Sequence, residues 1–99
     1  MNNDNINNDL EIKQGKNSFY VGDSASNPKA IITFVAKGDN TIIIDHTIVK
    51  EELRGMGLAC KLVDRVVEYA RAEDIKIIPQ CSYAVKVLTT NDEYKDILA

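Results

Sequence analysis

The 99-residue chain has no long apolar run, no excess of positive charge and few cysteines. No segment approaches the roughly 18 apolar residues of a membrane-spanning helix, so no membrane partner is expected. The first residues are polar and rich in asparagine. They hold no apolar centre, which argues against a secretory signal and makes the cytoplasm the expected location. Twelve Lys and Arg stand against fifteen Asp and Glu, a net charge of −3. Binding to a nucleic acid backbone needs clustered positive charge, so no nucleic acid partner is expected. Cys60 and Cys81 form no CxxC pair, and with the single histidine, His46, they make no zinc-ligand spacing; no metal is expected. The length allows one domain with a modest core, since so short a chain buries only about 60–70% of its unfolded surface.

What is present reads as strands first and helices later. Residues 1–9 carry five asparagines and read as a tail that buries little, leaving 10–99 as one domain. Leu10 and Ile12 alternate with charged residues, and Phe19 and Val21 follow Gln14-Gly15-Lys16-Asn17, a pattern of a hairpin with a glycine-bearing turn. After a polar loop from Gly22 to Pro28, strands are expected over Ala30–Ala36 and Thr41–Val49, with a turn at Lys37–Asn40. Ile42, Ile43 and Ile44 are apolar on successive positions, which suggests a central strand covered on both faces. Leu58, Leu62, Val63, Val66, Val67 and Ala70 recur at the helical period, so a helix runs from Gly57 to Ala72. A short strand, Ile75–Ile78, ends at Pro79. Strand, helix and strand in that order imply a right-handed crossover and a parallel pair. Ser82 is placed to cap a short helix over Tyr83–Leu88. Thr90-Asn91-Asp92-Glu93 has capping-box spacing before a last turn or two ending at Leu98. The fold class is α+β, with a mixed, mostly antiparallel sheet.

Between the second long strand and the helix lies Arg54-Gly55-Met56-Gly57-Leu58-Ala59. A Walker phosphate loop needs Lys and then Ser or Thr after its last glycine, and here Leu58 follows Gly57. The dinucleotide fingerprint needs three glycines in an early βαβ unit, and this turn has two after a meander. Two readings remain. One is an anion site, where free backbone N–H groups and the positive end of a helix dipole face a pyrophosphate beside Arg54. The other is a tight strand-to-helix turn that binds nothing.

That stretch resembles the (Gln/Arg)-x-x-Gly-x-(Gly/Ala) motif of the GCN5-related N-acetyltransferases. The likeness extends from about Phe34 onward, through Ile44-Asp45-His46-Thr47, Glu52–Ala59, Lys76–Ala84 and Asp92-Glu93-Tyr94. It is nearest to a very small YjdJ-like subfamily of acetyl-CoA-binding proteins. The resemblance implies a minimal fold of that superfamily, a strand-turn-helix-strand unit that binds coenzyme A, and acetyl-CoA as acyl donor or ligand. The pyrophosphate would sit at Arg54, Gly55, Met56, Gly57, Leu58 and Ala59. The pantetheine arm would pair with Thr47, Ile48 and Val49 in a sheet splayed open there, and the thioester would reach Cys81 and Tyr83. Larger relatives have two helices between their first strands and extra C-terminal strands; this chain has room for neither. Within the small subfamily Pro is expected at Ser82, a Lys-His-Pro-like stretch at Thr90-Asn91-Asp92, and Gly more often than Asp74.

Cys81 and His46 carry the remaining chemistry. Cys81 stands at a helix start, which favours its thiolate and lets it take an acyl group; a buried, inert thiol is the alternative. His46 is a general base for a thiol or an incoming amine, or, sharing parity with Ile42, Ile44 and Ile48, a hydrogen-bonded core histidine. Tyr83 either protonates the departing thiolate or rests half-buried with its hydroxyl in water. Cys60 reads as packing, Asp45 as a cross-sheet or loop partner, and Lys50 and Lys61 as solvated. The expected function is acetyl-CoA-dependent N-acetyl transfer to an amine or thiol acceptor. The alternative is an acetyl-CoA-binding module without turnover, completed by a protein partner or a second copy along the exposed strand edge.

Overall fold

A computed structural model describes residues 11–99. The stretch 1–9, expected as a tail, and Leu10 of the first hairpin lie outside the described residues. Five strands, β1 (Lys13–Gly15), β2 (Ser18–Val21), β3 (Ala30–Ala36), β4 (Thr41–Val49) and β5 (Lys76–Pro79), form one sheet in that spatial order. The first four make an antiparallel meander; β5 lies parallel to β4, reached through helix α1 (Leu58–Glu73). A second helix, α2 (Ser82–Thr90), follows, and single 3-10 turns occupy Glu51–Leu53 and Asp92–Tyr94. The α+β class and the mixed sheet are those expected from the hydrophobic pattern.

One core holds the elements together. Phe19, Val21, Ile32, Phe34, Ile42, Ile44 and Ile77 project from the sheet onto Leu58, Leu62, Val63, Val66, Val67 and Ala70 of α1 and onto Ala84 and Leu88 of α2. The 3.6-residue stripe of α1 is therefore its buried face, and full burial of each larger apolar side chain stabilises the fold by about 1.5–3 kcal/mol. The expectation that β4 is covered on both faces fails. Buried residues lie on the helix side, whereas Ile43 is half-buried and Val35 on the neighbouring strand is 43% exposed. The reason is that, among the described residues, helices pack on only one face of the sheet.

A β-bulge changes which way β4 points. Phe34 pairs with Ile44 but Thr33 pairs with His46, so Asp45 is an extra residue. Such an insertion reverses the alternation beyond it. Ile42 and Ile44 face the helices before the bulge; Thr47 and Val49 do so after it, opposite the buried Ile32 and Ala30. His46 and Ile48 are turned to the other face, and Ile48 is 59% exposed. The core-histidine reading of His46 is thereby overturned: parity with Ile42 and Ile44 holds only along an unbroken register.

The chain ends of the helices are tied with identifiable groups. Asp74 terminates α1 in a left-handed conformation, φ 57°, and the Ile75 N–H donates to the Ala70 carbonyl at 2.8 Å. That six-to-one closure is the position where glycine has the lower cost. The capping box at Thr90–Glu93 does not form. Helix α2 runs through Thr90, whose hydroxyl donates back to the Lys86 carbonyl, and no side chain caps the 3-10 turn that follows. The C-terminal segment instead returns along β5, where Leu98 bridges Ile77, and Arg71 of α1 grips Asp96 through two hydrogen bonds of 3.0 and 2.9 Å.

Candidate functional site

The site arises where β4 and β5 part. They pair from Thr41 and Lys76 to Ile44 and Pro79. Gln80 and Cys81 both donate their backbone N–H to the Ile44 carbonyl, at 3.0 and 3.1 Å, and β5 then turns away into α2. β4 continues to Val49 with β3 as its only strand partner among the described residues, so among them no strand covers its other edge beyond Ile44. The wedge left between the strands is a cleft of about 620 Å³, within the range of small-molecule sites. Thr47, Ile48 and Val49 form its β4 wall, the turn from Leu53 to Ala59 its end, and Tyr83 of α2 its far side.

The turn at the cleft's end is built by conformation. Gly55 has φ 87° and Gly57 φ 72°, both left-handed, and a Cβ at either would meet nothing within 4 Å. Glycine is favoured here because side-chain-bearing residues rarely adopt these angles; neighbouring atoms leave room. Gly57 is the N-cap of α1 and has no side chain to offer, and the first helical hydrogen bond runs from the Lys61 N–H to the Gly57 carbonyl, 3.1 Å. The N–H groups of Leu58, Ala59 and Cys60 are left at the helix's positive end without a side-chain cap. Arg54 Nε donates to the Val49 carbonyl at 3.3 Å, which pins the turn to the end of β4 and leaves the rest of the guanidinium at the cleft. Met56 is 48% exposed and does not line the cleft. Lys50 and Lys61 are solvated, as expected. Uncapped N–H donors, a pair of glycines in left-handed conformation, a cation and a strand edge without a partner among the described residues suit a ligand with an anionic head and an extended amide arm. These donors fit coenzyme A.

Cys81 lies at the apex of the wedge. The predicted cap, Ser82, is inside α2; Cys81 itself is the N-cap, with φ −72° and ψ 146°. Pro79 ends β5 and the chain stays extended through Cys81, so the helix starts one residue after it. The Cys81 Sγ accepts the Ala84 N–H at 3.3 Å and lies 3.2 Å from Thr47 Oγ1. The thiol is half-buried, in contact with two polar groups and packed against the core. His46 is not brought to it. The bulge sets His46 on the opposite side of β4, beside Asp45, whose carboxylate accepts the Thr33 hydroxyl at 2.6 Å. Asp45 is thus a cross-sheet partner, as its pattern indicated. The partnership of Thr47 with Cys81 was not foreseen, because it spans two strands and depends on the reversed parity of Thr47.

Two further groups near the cleft are shifted. Burial, with a smaller contribution from Cys60, pushes the Tyr83 hydroxyl above the ordinary tyrosine range, so it stays protonated. Burial, then Asp64 and Glu93, pushes the Cys60 thiol up, in keeping with its packing role. Among the described residues no cluster of His, Cys, Asp and Glu is placed to hold a metal ion, and no helix is long and apolar enough to cross a membrane.

Known proteins resemble this arrangement. The profile of the GCN5-related N-acetyltransferases matches residues 18–97. Protein NATD1 of Danio rerio is 27% identical over 83% of this chain and 74% of its own, and Protein NATD1 of Xenopus tropicalis is 26% identical over 83% and 75%. The solution structure of a GCN5-like protein of Staphylococcus aureus superposes with a TM-score of 0.78 at 47% identity, over 92% of this chain and 89% of that one. An acetyltransferase of the GNAT family from Staphylococcus aureus Mu50 shares the fold, with a TM-score of 0.58 at 15% identity over 76% of this chain and 50% of that one.

Proposed function

The chain belongs to the GCN5-related N-acetyltransferase family, and from that premise we propose that it is an acetyl-CoA-dependent N-acetyltransferase using the wedge between β4 and β5. The family generally uses acetyl-CoA, whose thioester supplies an activated acetyl group. The observation that carries the reading is the bare edge of β4 leading directly to the uncapped start of α1. Backbone groups of Arg54, Gly55, Met56, Gly57, Leu58 and Ala59, with the Arg54 guanidinium, hold the pyrophosphate. Thr47, Ile48 and Val49 pair with the amides of the pantetheine arm.

Cys81 lies at the thioester end. The Ala84 N–H donates to its sulfur, and the Thr47 hydroxyl lies within hydrogen-bond distance of it. In a covalent route the Cys81 sulfur bonds to the acetyl carbon, the carbon–sulfur bond of the donor breaks, and the departing thiolate takes up the proton that Cys81 gives up. Tyr83, kept protonated, is the donor within the cleft lining that can deliver that proton. His46, across β4, serves an incoming acceptor and not Cys81.

Calorimetry with CoA and intact mass after incubation with acetyl-CoA test this. Wild type is expected to bind CoA and gain one acetyl group, and Cys81→Ala to bind CoA without the adduct. Absence of binding at millimolar CoA sinks the reading; binding with no adduct on wild type removes the covalent route and leaves direct transfer. One observation favours a second reading, a CoA-binding module without turnover: among the described residues no carboxylate or imidazole lines the cleft. That reading gains if CoA binds tightly and no amine is acetylated without a partner chain.

A further inference from the structure

The wedge is apolar apart from the hydroxyls of Thr47 and Tyr83 and the Arg54 guanidinium. Asp45 and His46 are turned to the other face of β4. That lining treats two classes of nucleophile differently. An aliphatic amine with a pKa of about 10.4 holds roughly one free base in a thousand at about pH 7.5, and no group of the lining is suited to take its proton. A thiol with a pKa of about 8.5 is about one-tenth thiolate at the same pH and needs no base.

Recognition in the wedge is directed at an amide arm. The ladder between β3 and β4 alternates. The Lys50 N–H donates to the Lys29 carbonyl at 3.0 Å, so Ile48 and His46 also bond toward β3, and Thr47 and Val49 turn their N–H and C=O groups to the open edge. Arg54 Nε reaches the Val49 carbonyl on that edge. At the other end of the row, Thr47 Oγ1 lies 3.2 Å from Cys81 Sγ. An arm paired with this edge therefore delivers its end group to that sulfur. A second hollow, about 160 Å³ beside Arg71 and Tyr94, offers no equivalent place. It is smaller than the usual small-molecule site, and Arg71 and Tyr94 are bonded to the Glu93 carbonyl and to Asp64. A donor and an acceptor that share one kind of arm can use the wedge in turn.

We propose that the protein has a further activity, exchange of acetyl groups between thiols: it takes acetyl from acetyl-CoA onto Cys81 and passes it to the thiol of a second pantetheine arm. The proposal rests on acetyl-CoA occupying the wedge and goes beyond that reading by naming a thiol acceptor. In the first half, the Cys81 sulfur bonds to the acetyl carbon and the carbon–sulfur bond of the donor breaks. The departing CoA thiolate takes the proton that Cys81 gave up, with the Tyr83 hydroxyl as its carrier in the cleft lining. CoA then leaves and a pantetheine thiol takes its place. In the second half, this thiol gives up its proton, its sulfur bonds to the acetyl carbon, the bond from that carbon to Cys81 breaks, and the Cys81 sulfur takes the proton. One thioester replaces another, so no net proton is released and no other reactant is consumed.

The test uses the full chain, acetyl-CoA and three probes: pantetheine, its analogue with an amine in place of the thiol, and cysteamine, a thiol without the arm. Mass spectrometry follows acetyl transfer above the rate without protein. Acetyl-pantetheine is expected, with parallel lines in double-reciprocal plots, since CoA leaves before pantetheine enters. The amine analogue should react roughly tenfold or more slowly, because so little of it is free base. Cysteamine should also react roughly tenfold or more slowly, the effect of losing the hydrogen bonds of the arm. Cys81→Ser keeps a side chain that caps α2, so it should fold and still bind CoA by calorimetry, yet pass no acetyl group to pantetheine. Transfer by Cys81→Ser at the wild-type rate, intersecting lines, or equal rates for the three probes would overturn the proposal. CoA binding without acetyl-pantetheine overturns this activity alone. No CoA binding at millimolar concentration takes it down together with the cofactor reading.

Discussion

Gly57→Ala separates binding from folding because the protein contains its own control. Gly57 has φ 72° and Gly38, in the turn between β3 and β4, has φ 73°; a Cβ at either meets nothing within 4 Å. Neither substitution therefore clashes, and each meets the same cost of holding an alanine in the left-handed region, roughly 1–2 kcal/mol. For a domain of this size about 1 kcal/mol lowers Tm by about 4–8 °C, so both variants should melt earlier by a similar amount. Only Gly57 lies in the cleft, at the head of α1. A methyl group there stands beside the N–H groups assigned to the pyrophosphate. Displacing one hydrogen bond to a charged oxygen costs about 1.5–3 kcal/mol, so CoA affinity should fall about 10- to 100-fold in Gly57→Ala. Gly38→Ala should bind CoA as wild type does. Differential scanning calorimetry gives the two Tm values and titration calorimetry the two affinities, below both melting points. Equal affinity loss in both variants, or none in Gly57→Ala, refutes the role given to the turn.

Two further outcomes follow from the packing and the titrating groups. Leu62→Ala removes a fully buried side chain facing the sheet, and urea unfolding should show a loss of about 2–5 kcal/mol. Tyr94 donates its hydroxyl to Asp64, and that bond, aided by burial, holds its proton above the ordinary tyrosine range. The protonated form is favoured in the folded state, so this stabilisation is fully present below the ordinary tyrosine pKa of about 10 and is lost as pH rises beyond it. Denaturation curves of wild type and Tyr94→Phe between pH 8 and about 11 should therefore differ by a constant amount at first and draw closer above about pH 10; a gap that stays constant throughout would show that Tyr94 does not titrate in this way.

Much of the molecule is written in local pattern. The helical recurrence from Leu58 to Ala70 marked the face of α1 that is buried, and two glycines in left-handed conformation made a turn ahead of it, because period and backbone sterics act within a few residues. The strand-helix-strand order was enough for the parallel pair of β4 with β5. The capping choices were less legible. Ser82 and Cys81 compete for one position, and the extended stretch after Pro79 decided for Cys81; Thr90 satisfied its hydroxyl within α2 instead of starting a new turn.

The site itself divides along the same line. Length, charge pattern, the meander, the crossover helix and the glycine turn with Arg54 were set by the sequence alone, since each rests on neighbours in the chain. The sides on which Asp45, His46 and Thr47 point were decided only by tertiary structure. They depend on one extra residue in the pairing of β4 with β3, and register is a property of two strands together. That bulge carries Thr47 to Cys81 on the helix side and turns His46 to the open face. The periodicity of β4 read alone put His46 in the core, because a strand cannot record where its partner skips a residue.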